Sequence, residues 1–509
     1  MPKEIELKLR LPSSQARRLQ LHPLLSGQRP QKYRLLNTYY DTPELELRKR
    51  GIALRLRRKG WAVWLMTVKG GAGGDSGSGG LAQRNEWEAQ TQPGVFDFSI
   101  VTDSDLRDFL ESRRARLQAV FSTDFTRTAW TLKRAESVIE MALDRGKISA
   151  AATPGGPDTA GEALCEVELE LIEGTSPDAL FELAIELASE LHLHPEILSK
   201  AERGYALSDS ALAQPVKAFN SVVENAMSPV DAFRTIALAC LAQLQRNEAG
   251  AIAGDNPEYV HQARVAIRRL RSAFRLFSPV LADNFVAIYS PRWKKLAGHL
   301  GSARDWDVFL TETLAPLEEA FPADADLAVL RTRGDEIQRK AQESAGVALR
   351  QQEYSQLLLA FSAALFRETP PTIAAQDVKS GDSLRKFAGQ RLEKRAKAIK
   401  ILASEHGKMN AERRHELRIA FKKLRYALEF FSPILSRKHL ADYQASLSAI
   451  QDLLGTLNDQ VTASRLIKEL HPKGEPDPLT RGWIAGRTQL LIGTLNTELS
   501  GFLTCKKPW

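Results

Sequence analysis

The sequence of 509 residues predicts an α+β protein, with a β-rich N-terminal part followed by an all-α C-terminal part. Two observations support this prediction. Up to about residue 210, short segments alternate apolar and polar side chains, as strands with one buried face do. From about residue 229, apolar residues recur at helical spacing, and two motifs repeat with one common offset.

Eight strand-like segments precede residue 210, and turn-rich loops separate them. Glycine-rich stretches at 70–80 and 153–161 lack the Gly-Lys-Ser/Thr ending of a phosphate-binding loop, so we interpret them as surface connectors. A helix is predicted over 176–191 from its Ser-Pro start and its apolar periodicity. The predicted strands are 4–10, 34–41, 52–59, 62–69, 84–90, 124–132, 137–144 and 164–172.

The helical part contains an internal duplication. HQARVAIRRLR at 261–271 matches HELRIAFKKLR at 415–425, and LGSARD at 300–305 matches LGTLND at 454–459. Both matches have an offset of 154 residues. A shared offset predicts two similar helical subdomains related by a pseudo-twofold axis.

The chain is predicted to divide into a β-rich domain at 1–205, a linker at 206–228 and a helical domain at 229–509. Residues 1–210 carry 28 Lys and Arg against 30 Asp and Glu. The whole chain has a net charge of +8, so the rest of the chain carries +10. This excess, with a pI near 9.2, favours anionic partners for the helical domain.

Composition also excludes several classes of protein. No apolar run reaches 18 residues, which argues against a membrane span, and strand-like residues begin by position 4, which leaves no room for a signal peptide. The scattered cysteines Cys165, Cys240 and Cys505 predict reduced thiols in a cytosolic protein, without a zinc site. The pair His192 and His194 is interpreted as ordinary surface residues.

Seven glutamates lie in three alternating runs, EIELK at 4–8, EWE at 86–88 and EVELE at 166–170. Successive side chains of a strand point to opposite faces, so the glutamates of each run share one face. Like charges on one face repel each other and persist where water or cations compensate them. The runs therefore predict acidic ligands around a hard divalent metal ion. The alternative is three ordinary half-solvated strands.

Other charged residues alternate in the same way. Arg55 and Arg57 share one face of IALRLRR, Lys69 lies on the polar face of WLMTVK, and Glu140 and Asp144 share a face of VIEMALD. If the strands close into a barrel, all these faces point into one lumen. Such a lumen suits a metal-complexed polyanion, because carboxylates hold the metal and cations hold phosphate oxygens.

The repeated helices each carry a stripe of cations on one face. Like charges at i, i+3 and i, i+4 destabilise a helix by a few tenths of a kcal/mol per pair, and an anionic ligand reverses that cost. The alternative is a solvated helix face. Single-strand nucleic-acid binders interleave aromatic residues, which these faces lack, so a phosphate polymer fits better. The stripes are His261, Arg264, Arg268, Arg271 and Arg275, and then His415, Arg418, Lys422 and Arg425.

Together these motifs resemble a CYTH domain fused to a CHAD domain, as in the bacterial inorganic triphosphatases of the triphosphate tunnel metalloenzyme family. The CYTH resemblance covers about 1–205. It rests on the E-x-E-x-K motif at 4–8, YYDTP at 39–43, the LRLR strand, the last ExExE strand and SKAERGY at 199–205. The CHAD resemblance covers about 220–509 through the duplicated basic helices.

The resemblance implies an eight-stranded antiparallel tunnel that binds a triphosphate and Mg²⁺ or Mn²⁺. It implies that Lys8 positions or deprotonates the attacking water, with Glu4 and Glu6 as further catalytic residues. Arg34 and Arg203 are secondary candidates for phosphate contacts. The implied metal ligands are Glu4, Glu6, Glu168 and Glu170, with Glu88 and Glu166 close by. The implied phosphate ligands are Arg55, Arg57, Lys69, Arg127 and Lys200.

For the helical domain, the resemblance implies that both stripes bind inorganic polyphosphate. Glu429 stands where the second copy would repeat Arg275, which predicts weaker binding by that copy. We therefore expect a cytoplasmic bacterial hydrolase, associated with polyphosphate granules, that releases pyrophosphate and phosphate from inorganic triphosphate. Nucleic acid and membrane are not expected as partners.

Two alternatives stay open. The first is an enzyme for organic triphosphates, of the thiamine triphosphatase or class IV adenylate cyclase type. Trp61, Trp64 and Trp87 are the candidates for stacking its organic group. The second is a non-catalytic module that binds polyphosphate.

Overall fold

The computed structural model divides into two compact units. One comprises Met1–Gln214 with Gln351–Glu368, and the other comprises Pro215–Arg350 with Thr369–Trp509. The predicted domain boundaries at 205 and 229 stay predictions. The structure describes residues 3–60, 62–70, 75–150, 161–208, 214–218, 223–367, 383–404, 410–470 and 478–509.

Eight long antiparallel strands of the first unit form a closed barrel, which confirms the predicted fold. In order around the barrel they are β1, β9, β8, β7, β2, β3, β4 and β6, and β6 pairs with β1 to close it. Two short strands, β5 and β10, pair at its edge with β6 and β1. The strands are β1 Lys3–Arg10, β2 Gln31–Asp41, β3 Ala53–Lys59, β4 Val63–Lys69, β5 Asp75–Ser78, β6 Leu81–Thr91, β7 Gln118–Arg134, β8 Ser137–Ala150, β9 Gly161–Glu173 and β10 His194–Pro195.

Each of the eight predicted strands overlaps one of the long strands. Of the glycine-rich connectors, residues 71–74 and 153–160 lie outside the part that the structure describes. The helices of this unit are α1 Ala16–Gln20, α2 Glu46–Lys49, α3 Ser104–Arg113, α4 Asp178–Ala188 and α5 Lys200–Ser208, with α11 Gln352–Phe366 considered below. The helix predicted over 176–191 corresponds to α4.

Apolar packing outside the barrel fixes which strand faces point inward. Leu7 and Leu9 on β1 and Leu169 on β9 are fully buried in a cluster that includes residues of α4. Because side chains alternate along a strand, burying these leucines outside turns the intervening charged residues toward the lumen. A register slip of one residue would exchange the two sets, so the leucines specify the register.

The YYDTP and SKAERGY segments meet at one end of the barrel. The Asp41 carboxylate accepts hydrogen bonds from the backbone N–H groups of Leu47 and Arg48, at 2.9 and 3.0 Å, at the start of α2. It also accepts one from the Tyr205 hydroxyl, at 2.8 Å. Asp41 is fully buried, so these donors satisfy a charge that burial would otherwise disfavour. The two motifs therefore hold α2 and α5 against the barrel.

Helix α11 belongs to the barrel unit, although it falls within the predicted helical domain at 229–509. Leu359 is buried in the same cluster as the outer leucines of β1, and Phe366 stacks on Phe181 of α4 at 5.7 Å. The Gln352 and Gln356 amides donate to the Ala188 carbonyl at 3.2 and 3.1 Å. Periodicity shows that this helix has an apolar face, but not which unit covers it.

The prediction that His192 and His194 are ordinary surface residues is wrong. Both are partly buried, and both rings lie within hydrogen-bonding distance of the buried Ser355 hydroxyl of α11, at 3.3 and 2.9 Å. The pattern H-x-H places both rings on the same side of the chain, where α11 packs. Their role is therefore to attach α11 to the barrel unit.

The second unit is helical and contains the predicted duplication. Helix α7 begins and ends 154 residues before α13, and a short 3-10 turn follows each of them at the same offset. In the described ranges, no helix of either unit has the length and apolar content that crossing a membrane requires. The helices are α6 Pro229–Ala253, α7 Pro257–Phe277, α8 Asp283–Val308, α9 Ala315–Ala320, α10 Ala325–Arg350, α12 Leu384–Ala403, α13 Ala411–Phe431, α14 Leu440–Leu470 and α15 Pro478–Thr504.

Aromatic contacts repeat with the duplication. The rings of Phe233 and Phe277 meet edge to face at 5.9 Å, and their counterparts Phe387 and Phe431 do so at 6.3 Å. Phe277 and Phe431 are themselves 154 residues apart, and their rings are in contact at 5.7 Å. Two equivalent residues that touch each other lie at the axis relating the copies, here where α7 and α13 meet.

Candidate active site and anion-binding cleft

The barrel encloses a cavity of about 660 Å³ whose lining is dominated by charged side chains of both signs. Most of the predicted tunnel residues line it, whereas Glu166, Asp144 and the secondary candidates Arg34 and Arg203 do not. The acids are Glu4, Glu6, Glu86, Glu88, Glu140, Glu168 and Glu170. The cations are Lys8, Arg55, Arg57, Lys59, Lys69, Arg84, Arg127 and Lys200.

One side of the cavity holds an excess of carboxylates. Glu6 on β1 lies opposite Glu170 on β9, and burial together with the nearby Glu4 and Glu6 raises the pKa of Glu170 to about 7. Lys69 donates to both Glu4 oxygens at 2.8 Å and lies 3.1 Å from Glu86. Burial is the main cause of the raised pKa of Glu170, and the neighbouring carboxylates of Glu4 and Glu6 add to it. This oxygen-only donor set fits a hard divalent cation.

A second group of acids surrounds an ammonium. Ligand atoms of Asp144, Glu166 and Glu168 lie within 4.8 Å of one another, which a metal ion could bridge. The Lys200 ammonium lies 2.8 Å from both Asp144 and Glu168 and contacts Glu166 as well. It therefore already supplies positive charge at the centre of this group. Glu166 is almost fully buried and also binds Arg203, at 2.7 Å, behind the cavity wall.

Lys8 lies beside both groups of acids. Its ammonium contacts Glu6, and β1 places it opposite Glu168. Its backbone N–H donates to the Gly80 carbonyl at 2.9 Å, and its carbonyl accepts from the Glu196 N–H at 2.8 Å. Gly80 has a φ of +87°, and a Cβ there would lie 2.8 Å from the Lys8 carbonyl oxygen. The turn thus requires glycine, and it holds the Lys8 backbone from the side.

Arginines form the cationic side of the cavity. Arg57 donates through Nε to Asn37 at 2.7 Å, and burial with repulsion from Arg55 and Arg127 lowers its pKa to about 10. Arg55 lies 3.6 and 3.8 Å from Glu86 and Glu88, while its buried Nε has no hydrogen-bond partner among the described residues. These planar guanidinium groups retain N–H donors for hydrogen bonds to phosphate oxygens.

Arg127 differs, because it makes a bidentate pair with Asp144 at 2.7 Å and contacts Glu168. Burial alone would raise the pKa of Glu168, but Lys200, Arg127 and Lys8 hold it well below the usual range. Of the secondary candidates, Arg34 is exposed and pairs with Asp124 at 2.6 Å, away from the cavity lining. Arg203 pairs with Glu162 and Glu166 and is also absent from the lining.

Several cavity residues were not assigned from the sequence. Arg84 has the same parity along β6 as Glu86 and Glu88, the acids of the predicted EWE run, so alternation contained the signal. The same is true of Lys59, two and four residues beyond Arg57 and Arg55. Strand alternation places Asp144 on the lumen face but assigns it no role. Asp144 and Glu168 both contact Lys200. This contact depends on the position of α5, which strand alternation does not predict.

Of the candidate tryptophans, the two that the structure describes, Trp64 and Trp87, do not line the cavity. Trp87 packs in the outer apolar cluster, where its Nε1 donates to Thr102 at 3.0 Å, and Trp64 packs against the same cluster. Trp61 lies outside the described residues. No tryptophan in the described part of the barrel lines the cavity.

In the second unit, the two basic stripes face each other where α7 and α13 pack together. Arg264 and Arg268 of α7 lower the pKa values of Arg418 and Lys422 of α13, adding to the larger effect of burial. The pKa of Lys422 falls to about 6 through burial and through Arg418, Arg268 and Arg264. The two facing stripes are called the cleft below. Arg268 and Lys422 are equivalent residues 154 positions apart, so the cleft lies at the pseudo-twofold axis.

Buried donors of this cleft lack partners. Burial, with Arg304 as the next cause, lowers the pKa of His261 to about 4. Asp305 lies 3.6 Å from Arg264, and Asp459 is its equivalent beside Arg418, so the LGSARD and LGTLND motifs supply partial compensation. The atoms without hydrogen-bond partners among the described residues are His261 Nδ1 and the Nε atoms of Arg268, Arg418 and Arg425.

Glu429 does not interrupt the second stripe. It pairs with Arg269 at 2.8 Å, and Arg269 is 1% exposed. Its carboxylate therefore neutralises a buried guanidinium of the neighbouring helix, which sequence spacing alone does not reveal. The weaker polyphosphate binding predicted for the second copy therefore does not follow from an unpaired acid in its stripe.

Comparisons with known proteins agree with both parts of this description. The family model for the CYTH domain matches residues 2–205, and the family model for the CHAD domain matches residues 235–468. An inorganic triphosphatase of Haemophilus influenzae is 33% identical over 174 residues, a match that covers 34% of this chain and 45% of the relative's own length. The match thus spans less than half of the length of this curated relative.

Two solved structures are similar to separate parts of the chain. A CHAD domain from the plant Ricinus communis covers 58% of this chain and 99% of its own, with 30% identity and a TM-score of 0.49. The Hippeastrum protein HpAC1, described as having a dominant triphosphatase activity, covers 40% of this chain and 95% of its own, with 20% identity and a TM-score of 0.28. By the two family models, the chain is a protein in which a CYTH domain, residues 2–205, is followed by a CHAD domain, residues 235–468.

Proposed function

We propose that the barrel hydrolyses inorganic triphosphate with the help of Mg²⁺ or Mn²⁺. The observation that supports this proposal is the distribution of charge within one enclosed cavity. Carboxylates that repel each other lie on one side, and arginines with unused donors lie on the other. A metal-bound polyphosphate anion would satisfy both sides at once.

The metal ligands in this proposal are Glu4, Glu6 and Glu170, with Glu168, Glu88 and Glu166 nearby. When bound, the metal would neutralise phosphate oxygens and lower the pKa of a bound water. The remaining chemistry belongs to the chain. Arg55 and Arg57, aided by Lys69, Arg127 and Lys200, would hold the phosphate oxygens and stabilise charge on them as the terminal P–O bond breaks.

As an ammonium, Lys8 would position the attacking water, and as the neutral amine it would accept the proton of that water. Its ammonium contacts Glu6 and faces Glu168, so it lies between the two groups of acids. The water oxygen bonds to the terminal phosphorus, the bridging P–O bond breaks, and pyrophosphate leaves with the electron pair. The fixed backbone of Lys8 keeps its side chain in reach of both groups.

An inorganic substrate is favoured over an organic triphosphate. The aromatic rings at the cavity are Tyr33 and Tyr39, and Tyr39 is already stacked on Phe121 at 4.4 Å. Lys59 lies over the Tyr33 ring at 4.3 Å, so that face is covered as well. A base or a thiazole would have to displace these contacts before it could stack.

The test is a substrate panel on the full chain. We expect phosphate release from inorganic triphosphate with Mg²⁺ or Mn²⁺, at least about tenfold faster than from ATP or thiamine triphosphate, and none in EDTA. Faster turnover of either organic substrate would support the corresponding alternative. Absence of turnover with every substrate and metal would leave a phosphate-binding module as the function.

We also propose that the cleft between α7 and α13 binds inorganic polyphosphate. Its buried guanidinium donors have no partner in the described part of the chain, and burial, with mutual repulsion as a further cause, lowers the pKa values of Arg418 and Lys422. A chain of phosphates would satisfy both features along its length. Such binding would bring the protein to polyphosphate granules in the cytoplasm.

A further inference from the structure

The pseudo-twofold symmetry of the helical unit is broken at one pair of contacts. On one side, Arg269 of α7 forms an ion pair with Glu429 of α13. Adding 154 to the first position and subtracting it from the second gives the equivalent pair, Lys423 of α13 and Arg275 of α7. The same contact is therefore neutralised in one half of the unit and doubly positive in the other.

Further cations surround the doubly positive contact. After burial, Arg275 and Arg395 are the causes that lower the pKa of Lys423, so both lie close to it. Burial and then Arg391 lower the pKa of Arg395 to about 10. The buried Nε of Arg395 has no hydrogen-bond partner among the described residues. The basic corner, defined as Arg275, Arg391, Arg395 and Lys423, thus contains unsatisfied positive charge.

A cavity of about 510 Å³ opens at this corner between α12 and α13. Arg395 and Lys423 line it together with apolar side chains such as Leu402 and Ile419. The remaining charged residues of its lining, Arg413 and Glu416, pair with each other at 2.8 Å. Within the described ranges, neither Arg395 nor Lys423 has a carboxylate within 4.0 Å.

We propose that the basic corner is a second anion site, separate from the cleft, that binds a small multivalent phosphate anion. Glu429 supplies the negative charge at the equivalent position, and here a ligand would supply it. Guanidinium groups and an ammonium suit phosphate oxygens, and several cations around one cavity require more than one negative charge. The site differs from the cleft because Arg391 and Arg395 lie on α12 and Lys423 belongs to neither stripe, although Arg275 of α7 is the last residue of the first stripe.

The first test is the substitution Lys423→Glu, which would restore the ion pair found at Arg269 and Glu429. Without ligand, we expect the melting temperature of the full chain to rise by about 1–2 °C, because repulsion is replaced by attraction. The matched control is Lys394→Glu, an exposed lysine of α12, for which no rise is expected. An unchanged or lower melting temperature for Lys423→Glu would overturn the proposed repulsion.

The second test measures pyrophosphate binding by calorimetry in EDTA. It compares the Arg268→Gln/Lys422→Gln chain, whose cleft is disabled, with the same chain carrying Lys423→Glu or Arg395→Gln. The barrel contributes equally to both, so only the difference counts. We expect each added substitution to weaken binding at least about tenfold, and Lys394→Glu to leave it unchanged.

Equal affinity with and without Lys423→Glu would overturn the second site, and so would an equal loss with Lys394→Glu. Repeating the binding measurement with long-chain polyphosphate shows whether the site binds a small anion or the polymer. A tenfold loss for pyrophosphate supports a site for small anions, whereas a loss confined to the polymer overturns it. These outcomes are independent of the cleft, whose own failure would appear as unchanged polyphosphate affinity in Arg268→Gln/Lys422→Gln.

Discussion

The barrel and the helical cleft both gather cations, but they compensate them differently. In the barrel, Lys69, Arg127 and Lys200 each lie within about 3 Å of one or more carboxylates. In the cleft, Arg268 and Lys422 face further cations, and Asp305 and Asp459 compensate this charge only in part. The barrel is therefore a nearly neutral network with local imbalance, whereas the cleft carries a net excess of positive charge.

This difference implies two ways of binding phosphate. A nearly neutral network discriminates by geometry, because a ligand must replace ion pairs that already exist and must bring a cation to the surplus acids. An uncompensated cleft binds through charge, with affinity that falls as salt rises. Substitutions of acids and of cations should thus have distinct effects in the two places.

The largest effect is expected from removing acids of the barrel. The double substitution Glu4→Gln/Glu170→Gln should lower triphosphate hydrolysis by about 10³-fold, because the metal would lose two anionic ligands at nearly constant shape. Steady-state phosphate release with Mg²⁺ measures it. Glu173→Gln, exposed on the same strand, is the matched control. Activity within a few-fold of the unsubstituted chain would place the metal elsewhere, while polyphosphate affinity should not change.

The lumen was predictable because parity along a strand is a property of the backbone. Once the outer leucines are buried, Glu4, Glu6 and Lys8 have no other face to occupy. Glu166 has the same parity as Glu168, yet Lys200 and Arg203 enclose it. Those cations belong to α5, more than thirty residues later in the chain, and strand alternation does not predict such contacts.

The helical unit shows the same limit. A period of 3.6 residues groups His261, Arg264 and Arg268 on one face, and that face does line the cleft. The pattern cannot show that the two stripes face each other, or that Glu429 turns away to neutralise Arg269. Lys423 belongs to neither predicted stripe, so helical spacing did not predict its place in the basic corner. Tertiary pairing, and not local spacing, decides which cations remain unsatisfied.

A smaller effect is expected from removing cations of the cleft. Arg268→Gln/Lys422→Gln should weaken polyphosphate binding by about 10- to 100-fold at 0.1 M salt and reduce the slope of log affinity against log salt by about 1–2. Lys294→Gln/Lys295→Gln, two exposed lysines of α8, is the charge-matched control. Binding isotherms at several salt concentrations measure both quantities.

The same experiment with DNA of matched charge tests the choice of polymer. We expect weaker binding of DNA, because the cleft offers buried guanidinium donors and few rings for base stacking. Equal affinity for DNA, or an equal loss in the control variant, would reduce the cleft to a nonspecific cationic surface.

The smallest effect concerns pH, and its sign should differ between the two regions. In the barrel, burial beside Glu4 and Glu6 raises the pKa of Glu170 from 4.5 to about 7. The metal-free folded state therefore holds a proton that the unfolded chain releases, and this stability is lost as pH rises through 7. In the cleft, burial and Arg418 lower the pKa of Lys422 from 10.5 to about 6.

For Lys422 the unfolded chain holds the additional proton between about pH 6 and pH 10, so the free energy of unfolding rises with pH over that range. Urea unfolding in EDTA between pH 5 and pH 9 measures both contributions. Glu170→Gln should remove the loss of stability near pH 7, and Lys422→Met should remove the gain above pH 6, whereas Lys294→Met should change neither. Equal slopes of unfolding free energy against pH in all the variants would mean that solvent screens both Glu170 and Lys422. The barrel and the cleft would then differ less in charge compensation than proposed.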